Sequence, residues 1–262
     1  MTLEVHQLVK HFGGVQAVKG VSFSVAAGEC VALIGPNGAG KSTTFACIAG
    51  QHALTSGHIR WNGQQVEGLA PSARLRRGIA RTFQVAQTFE ALTVLQNLQL
   101  LVHYRRGLQA YNVLDTADPA SAMQLLRQVG LEAVAHLDAR DLPYGAKKRL
   151  ELAMALAGLL PQPNQAPAPQ LLLLDEPAAG LAAEERASLM QLVRTLAETQ
   201  GIAVLYTEHN MDAVFGVADR VLVLIDGLLA AQGSPDDIAK NELVRARYLG
   251  VGFANPAEGA HA

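Results

Sequence analysis

The alternation of apolar and polar residues indicates short strands at the start of the chain. Leu3–Val9 and Val21–Val25 alternate in this way, which is typical of strands with one solvent-facing side. Gly57–Trp61 leads into Asn62-Gly63, a dipeptide that favours a two-residue hairpin turn. We therefore expect an antiparallel β subdomain in this part of the chain.

A second pattern alternates apolar runs with helical segments. Cys30–Ile34 is continuously apolar and leads into a glycine-rich loop and a helix, as a buried parallel strand does. Asp226-Gly227 predicts another hairpin, followed by a short strand and a terminal helix. This rhythm predicts an α/β fold. Its later elements are the strands Leu171–Asp175, Ala203–Glu208 and Arg220–Ile225 and the helices Ala183–Thr199 and Met211–Val217.

The region from Glu90 to Leu160 has a helical, more polar pattern with little strand character, which predicts an inserted helical subdomain. Pro161–Gln170 is rich in proline and predicts a surface loop. We expect one domain over residues 1–254 and a flexible tail over 255–262.

Composition narrows the class of protein. The net charge of −2, with both signs interspersed, does not favour nucleic acid as a partner. Neither Cys30 nor Cys47 has a histidine or a second cysteine at the spacing of metal ligands. We therefore expect both to be small buried side chains in a protein from a reducing compartment. The N-terminus has no signal-peptide pattern, and the apolar runs are shorter than the roughly 20 residues of a membrane span. We therefore expect action at a membrane to need a partner.

A glycine-rich loop carries the strongest chemical signal. It fits the pattern G-x-x-x-x-G-K-[ST], whose backbone amides and following helix N-terminus bind phosphates. Lys41 would reach the β- and γ-phosphates, and the Ser42 hydroxyl would bind Mg²⁺. The sequence predicts ATP and Mg²⁺ as cofactors. The predicted binding residues are Gly35, Asn37, Gly38, Ala39, Gly40, Lys41, Ser42 and Thr43.

Two adjacent carboxylates follow the apolar run Leu171–Leu174. Asp175 at the end of a buried strand would hold Mg²⁺ through its water shell, and Glu176 would orient or deprotonate the attacking water. Alone, such a run is more often a core strand that meets solvent. After the phosphate loop, the catalytic interpretation is favoured.

Five features follow one another along the chain: Phe12, the phosphate loop, Gln84, the pair Asp175-Glu176 and His209. Together, in this order, they make nearly the whole chain resemble the ABC ATPase family. Phe12 occupies the position of an aromatic residue that stacks on adenine, and Val18 joins the nucleotide-binding set. Gln84 matches a glutamine that senses Mg²⁺ and contacts the permease, and His209 matches the switch histidine at the γ-phosphate. Singly, each would have a simpler explanation as a core, surface or strand-end residue.

The resemblance also implies a signature loop, Leu142-Pro143-Tyr144-Gly145-Ala146, in which Leu142, Tyr144 and Gly145 act on the ATP of a partner subunit. The D-loop would be Ala179-Gly180-Leu181-Ala182. Two such subunits would close face to face on two ATP molecules.

Four further motifs are ARTFQ, DEPAAGL, EHNM and YLG. Within the family, they are similar to those of the branched-chain amino-acid (LivG-like) group. The resemblance implies an ATPase that powers uptake of branched-chain amino acids or a related small polar solute. The implied partners are transmembrane permease subunits, a second LivF-like ATPase and, indirectly, a solute-binding protein outside the membrane. The chain would lie peripherally on the cytoplasmic face of the cell membrane.

The signature loop departs from the family pattern Leu-Ser-Gly-Gly-Gln. Pro143 offers neither a hydroxyl nor a backbone N–H, Ala146 replaces a polar residue, and Ala182 does the same in the D-loop. Either the subgroup tolerates this variation, or the ATP site that this loop completes is weak. The charged run Lys147-Lys148-Arg149 predicts a solvated helix start.

Three alternatives stay open. A non-transport ABC ATPase usually carries a coiled-coil insertion or a second cassette, and this sequence has neither. A kinase or GTPase would leave the signature and His209 motifs unexplained, and no Asn-Lys-x-Asp motif occurs. The third alternative is a regulatory subunit that forms half of an ATPase pair and binds nucleotide but is catalytically weak.

Overall fold

The computed structural model describes residues 2–82, 87–105, 119–161 and 168–249. The strands are β1 (Thr2–Phe12), β2 (Val15–Ala26), β3 (Cys30–Ile34), β4 (Ser56–Trp61), β5 (Gln64–Gln65), β6 (Ile79–Arg81), β7 (Leu171–Asp175), β8 (Ala203–Thr207), β9 (Arg220–Ile225) and β10 (Leu228–Gly233). The α-helices are α1 (Lys41–Ala49), α2 (Pro71–Arg76), α3 (Val94–Arg105), α4 (Pro119–Val129), α5 (Tyr144–Leu159), α6 (Ala183–Gln200), α7 (Met211–Phe215), α8 (Pro235–Lys240) and α9 (Glu242–Val244).

The first sheet is the predicted antiparallel subdomain, with strand order β2-β1-β4-β5. Asn62 (φ 49°) and Gly63 (φ 75°) form the predicted turn between β4 and β5. Strands β1 and β2 are longer than predicted and pair to the end, where Phe12 faces Val15. The pairing of β1 with β2 shifts register between Lys10 and His11, inside the part of β1 that the prediction missed.

The second sheet has the order β10-β9-β3-β8-β7-β6, with β10 antiparallel and the other neighbours parallel. Strands β3, β7 and β8 are buried at every position, and β3, β7 and β9 have the predicted bounds. The carboxyl ends of the parallel strands lie along one edge, which is where α/β sheets bind ligands. The α/β prediction is confirmed.

The predicted helical region contains α3, α4 and α5, which pack on one another. Among the described residues, no helix combines the length and apolar character that a membrane crossing requires. Most of the predicted loop Pro161–Gln170 and the tail 255–262 lie outside the described residues. The domain extent of 1–254 therefore stays a prediction.

Two predictions about individual residues have different outcomes. Cys30 and Cys47 are buried as expected, and burial raises the pKa of their thiols to about 12 and about 11. The predicted solvation of the basic run at the start of α5 is wrong for Lys148, which is only 2% exposed. Its ammonium lies 3.6 Å from Oε2 of Glu151, three residues further along α5. The prediction failed because α5 packs against both other helices of this region, which buries the charged pair.

Candidate functional site

The phosphate loop connects the end of β3 to the start of α1. A Cβ atom at Gly35 (φ 146°) would lie 2.0 Å from the carbonyl oxygen of Leu224, and one at Gly40 (φ 99°) would lie 2.5 Å from that of Ala17. Only glycine fits these two positions, because neighbouring backbone approaches the loop from both sides. Asn37, Gly38, Ala39, Ser42 and Thr43 lie in this loop and in the first turn of α1, as predicted.

The side chain of Lys41 folds back over the loop. Its Nζ donates hydrogen bonds to the carbonyl oxygens of Gly35 (2.7 Å) and Pro36 (3.1 Å). Burial lowers the pKa of this amine, and the carboxylates of Glu176 and Asp175 oppose that shift. The carboxylates therefore help to keep a cation at the loop, where it could bind an anionic phosphate.

Asp175 ends β7, and its carboxylate has a donor on each side. Thr207 Oγ1 from β8 donates to Oδ1 at 2.8 Å, and Arg81 Nη2 from β6 donates to Oδ2 at 2.7 Å. Sequence reasoning missed both donors. The available signal was their position at the carboxyl ends of strands that flank β7.

Glu176 follows in the left-handed region, with φ 48°, which a non-glycine residue seldom adopts. Its backbone N–H donates to Thr207 Oγ1 at 3.0 Å, and its Oε1 lies 2.8 Å from Nε2 of His209. The structure thus joins two residues for which catalytic roles were predicted separately.

Glu208 is a further acidic residue at this edge that sequence reasoning missed. It is 4% exposed and accepts hydrogen bonds from the backbone N–H groups of Ala178 and His209, each at 3.1 Å. Burial raises the pKa of its carboxyl, and nearby Glu176 raises it further. Glu208 therefore ties the segment after Glu176 to the His209 loop.

The two residues predicted to bind the nucleoside differ in accessibility. Phe12 is 44% exposed, and its ring meets that of His52 edge-on at 5.2 Å, with Lys10 Nζ 4.8 Å from the ring centroid. An accessible aromatic face of this kind could stack on a purine. Val18 is fully buried, and its Cγ2 would lie 3.4 Å from a Cβ atom at Gly40, so its side chain packs against the phosphate loop. Its role in nucleotide binding stays a prediction.

The predicted signature loop lies at the start of α5, against α6 and the D-loop. Leu142 is buried, whereas Tyr144 is 43% exposed. A Cβ at Gly145 would lie 2.7 Å from Glu185 Oε1, and one at Gly180 would lie 3.2 Å from the Tyr144 ring. Pro143 is the N-cap of α5 and makes no side-chain capping bond, and the weakness of the ATP site that this loop would complete stays a prediction. Gln84 lies outside the described residues.

The donor set at the sheet edge fits Mg²⁺ bound together with a polyphosphate. No group of three His, Cys, Asp or Glu side chains at metal-binding spacing occurs in the part of the chain that the structure describes. Mg²⁺ commonly takes one or two carboxylates and draws its other ligands from phosphate and water. Asp175 and the exposed hydroxyl of Ser42 offer that combination.

Comparisons with known proteins agree with this geometry. The family model "ABC transporter" matches residues 18–179. The branched-chain amino acid transport ATP-binding protein BraF of Pseudomonas aeruginosa is 35% identical over 257 residues, covering 95% of this chain and 97% of that protein. LivG of Salmonella typhimurium, described in the same terms, is 36% identical with the same coverage. The lipopolysaccharide export ATP-binding protein LptB of Escherichia coli is 33% identical over 252 residues, covering 96% of this chain and 98% of that protein.

Solved structures give the same result. The ADP conformation of MJ1267, an ATP-binding cassette of an ABC transporter, superposes with a TM-score of 0.81 at 28% identity, covering 95% of this chain and 99% of that one. The chain belongs to the ATP-binding cassette family, the ATP-hydrolysing subunits of ABC transporters.

Proposed function

We propose that this chain hydrolyses MgATP to power uptake of branched-chain amino acids or a related small polar solute through a membrane permease. The observation that carries the ATPase part is the 2.8 Å contact between Glu176 and His209. These residues lie one position beyond the end of β7 and two positions beyond the end of β8, respectively. BraF and LivG match this chain over almost their full lengths, and their names support branched-chain amino acids as the cargo.

Each residue of the site takes a distinct role in this proposal. The loop amides and Lys41 bind the β- and γ-phosphates, and Phe12 stacks on the adenine. Ser42 and Asp175 would hold Mg²⁺, which neutralises phosphate charge when bound. Glu176 orients the attacking water and accepts its proton, while His209 holds the Glu176 carboxylate and faces the γ-phosphate. Gln84, expected at the metal and the permease, completes the set.

A second ATPase subunit is part of the proposal. A solved dimeric ABC transporter cassette, MJ0796, superposes with a TM-score of 0.73 at 25% identity, covering 89% of this chain and 98% of that one, which supports pairing in general. Leu142, Tyr144 and Gly145 would then face the ATP of the partner, a LivF-like chain. Pairing of this kind places an anionic phosphate between two helix N-termini.

The permease would bind at a cavity of about 570 Å³ between α2, β6 and α5. Its lining is mainly apolar and includes Leu75, Leu101, Met154 and Phe89, the last of which is 47% exposed. This chemistry suits an amphipathic helix. The chain would thereby lie on the cytoplasmic face of the cell membrane, and a solute-binding protein would reach it only through the permease.

The test is transport by the assembled complex. The chain, its permease and its partner ATPase are placed in proteoliposomes with the solute-binding protein outside and MgATP inside. ATP-dependent accumulation of labelled leucine, lost in Lys41→Ala, is the expected result. ATP hydrolysis without uptake of any branched-chain amino acid would remove branched-chain amino acids as the cargo and leave the ATPase.

The second candidate function is that of a catalytically weak, regulatory half of the ATPase pair. It is favoured by Ala146 and by Pro143, an N-cap residue that makes no side-chain capping bond. If this loop weakens the partner's site, the pair Pro143→Ser and Ala146→Gln raises turnover of the complex. Unchanged turnover would mean that the variant loop is fully competent.

A further inference from the structure

Arg81 links the permease-side cavity to the predicted Mg²⁺ carboxylate. It ends β6 and lines the cavity together with Gln51 and Ser72. Its Nη2 donates to Asp175 Oδ2 at 2.7 Å, and its Nη1 donates to Gln51 Oε1 in the loop after α1. One guanidinium thus spans β7 and the carboxyl end of the phosphate-loop helix.

The ion pair is shielded from solvent. The side chains of Arg81 and Asp175 are 12% and 11% exposed. A pair with so little water around it interacts more strongly than one at the surface, since the local dielectric constant is lower. The guanidinium therefore neutralises much of the Asp175 charge.

The same carboxylate is the candidate ligand for Mg²⁺, so two cations share one site. Thr207 already occupies Oδ1 at 2.8 Å, which keeps the carboxylate oriented even without the arginine. Arg81 on Oδ2 repels an incoming Mg²⁺ and holds lone pairs that the water shell of the metal would use. The cavity that Arg81 lines gives its side chain room to withdraw.

We infer that Arg81 is a positioning residue that lowers the affinity of the site for Mg²⁺ by holding Asp175 until the metal displaces it. This rests on the proposed MgATP site. It does not require the permease, so it is testable on the isolated chain.

The experiment titrates Mg²⁺ into the full-length chain with a fluorescent ATP analogue and measures the half-saturating metal concentration. Arg81→Gln keeps a hydrogen-bond donor but removes the charge, and it should lower that concentration roughly threefold to tenfold. Affinity for the analogue in EDTA should stay within about twofold of wild type, since the phosphate loop is untouched. Arg76→Gln is the matched control, because Arg76 is exposed on α2, and it should change neither value.

An equal or higher half-saturating concentration in Arg81→Gln would overturn the inference. Failure of wild type to bind the analogue at all would instead overturn the proposed function. A second measurement needs no variant: guanidinium NMR signals of Arg81 in wild type should shift when Mg²⁺ is added to the ATP-bound chain. Signals that stay unchanged while Mg²⁺ binds would also overturn it.

Discussion

Nε2 of His209 lies 2.8 Å from Oε1 of Glu176, although the two residues are 33 positions apart in the chain. The contact joins the loops after two adjacent parallel strands, β7 and β8. It gives the carboxylate a fixed direction, because the backbone of Glu176 is itself held by Thr207.

His209→Ala should therefore reduce kcat of the assembled ATPase by about 100-fold or more, with little change in KM, because the base loses its orientation while the phosphate loop stays intact. Steady-state ATP hydrolysis measures both constants. A rise in KM with unchanged kcat would show that His209 only helps to bind ATP.

Arg74 should be among the most important residues for stability. It is 1% exposed, and its guanidinium donates to the carbonyl oxygens of Cys47 (2.7 Å), Glu67 (2.9 Å) and Leu69 (3.1 Å), and to that of Ile48. Arg74→Met removes all four of these bonds, although Cys47 O keeps a hydrogen bond from the backbone N–H of Gly50 at 3.2 Å. It should lower the free energy of unfolding by about 3 kcal/mol or more.

Urea denaturation measures this difference. Arg76→Met on the exposed side of α2 is the control and should stay within about 0.5 kcal/mol of wild type. Equal effects of the two substitutions would show that Arg74 does not hold the end of α1.

Gly40 should not tolerate a side chain. Gly40→Ala forces a Cβ to 2.5 Å from the carbonyl oxygen of Ala17, and the loop must shift to accept it. Nucleotide affinity should fall by at least about tenfold, since the amides lose their common direction. Isothermal titration with ATP measures this loss.

Gly201→Ala is the matched control for Gly40→Ala. Gly201 also has positive φ, at 66°, but a Cβ there meets nothing within 4 Å. It should cost about 1–2 kcal/mol of stability from backbone strain and leave ATP affinity unchanged. Normal ATP binding by Gly40→Ala would contradict the described loop.

The buried carboxyl of Glu208 should make stability depend on pH. Because burial raises its folded-state pKa above 4.5, folding favours the protonated form, and this contribution is lost as pH rises through the raised pKa. Glu208→Gln removes this titration. The free energy of unfolding of wild type, relative to that of the variant, should therefore be higher at pH 5 than at pH 8. Urea denaturation at both values tests the sign, and an opposite trend would contradict the burial of this group.

The buried strands were predictable because a strand covered on both faces is a continuous apolar run. Cys30–Ile34 and Leu171–Asp175 therefore have the predicted bounds. Glu176 and His209 were found because short motifs mark them. The Arg81–Asp175 pair was missed because it spans 94 residues and depends on which strands are neighbours. Lys148 was misjudged for a related reason, since a local charge run does not show what packs around a helix.

Glu176 is the proposed base of an ATP-hydrolysing site on this chain. The most direct test compares MgATP hydrolysis by the complete transporter with wild-type chain and with Glu176→Gln. Hydrolysis should fall by about 100-fold or more in Glu176→Gln while ATP stays bound, because the amide cannot accept the proton from water. Near-normal hydrolysis in the variant would contradict it and assign the catalytic cycle to the partner subunit.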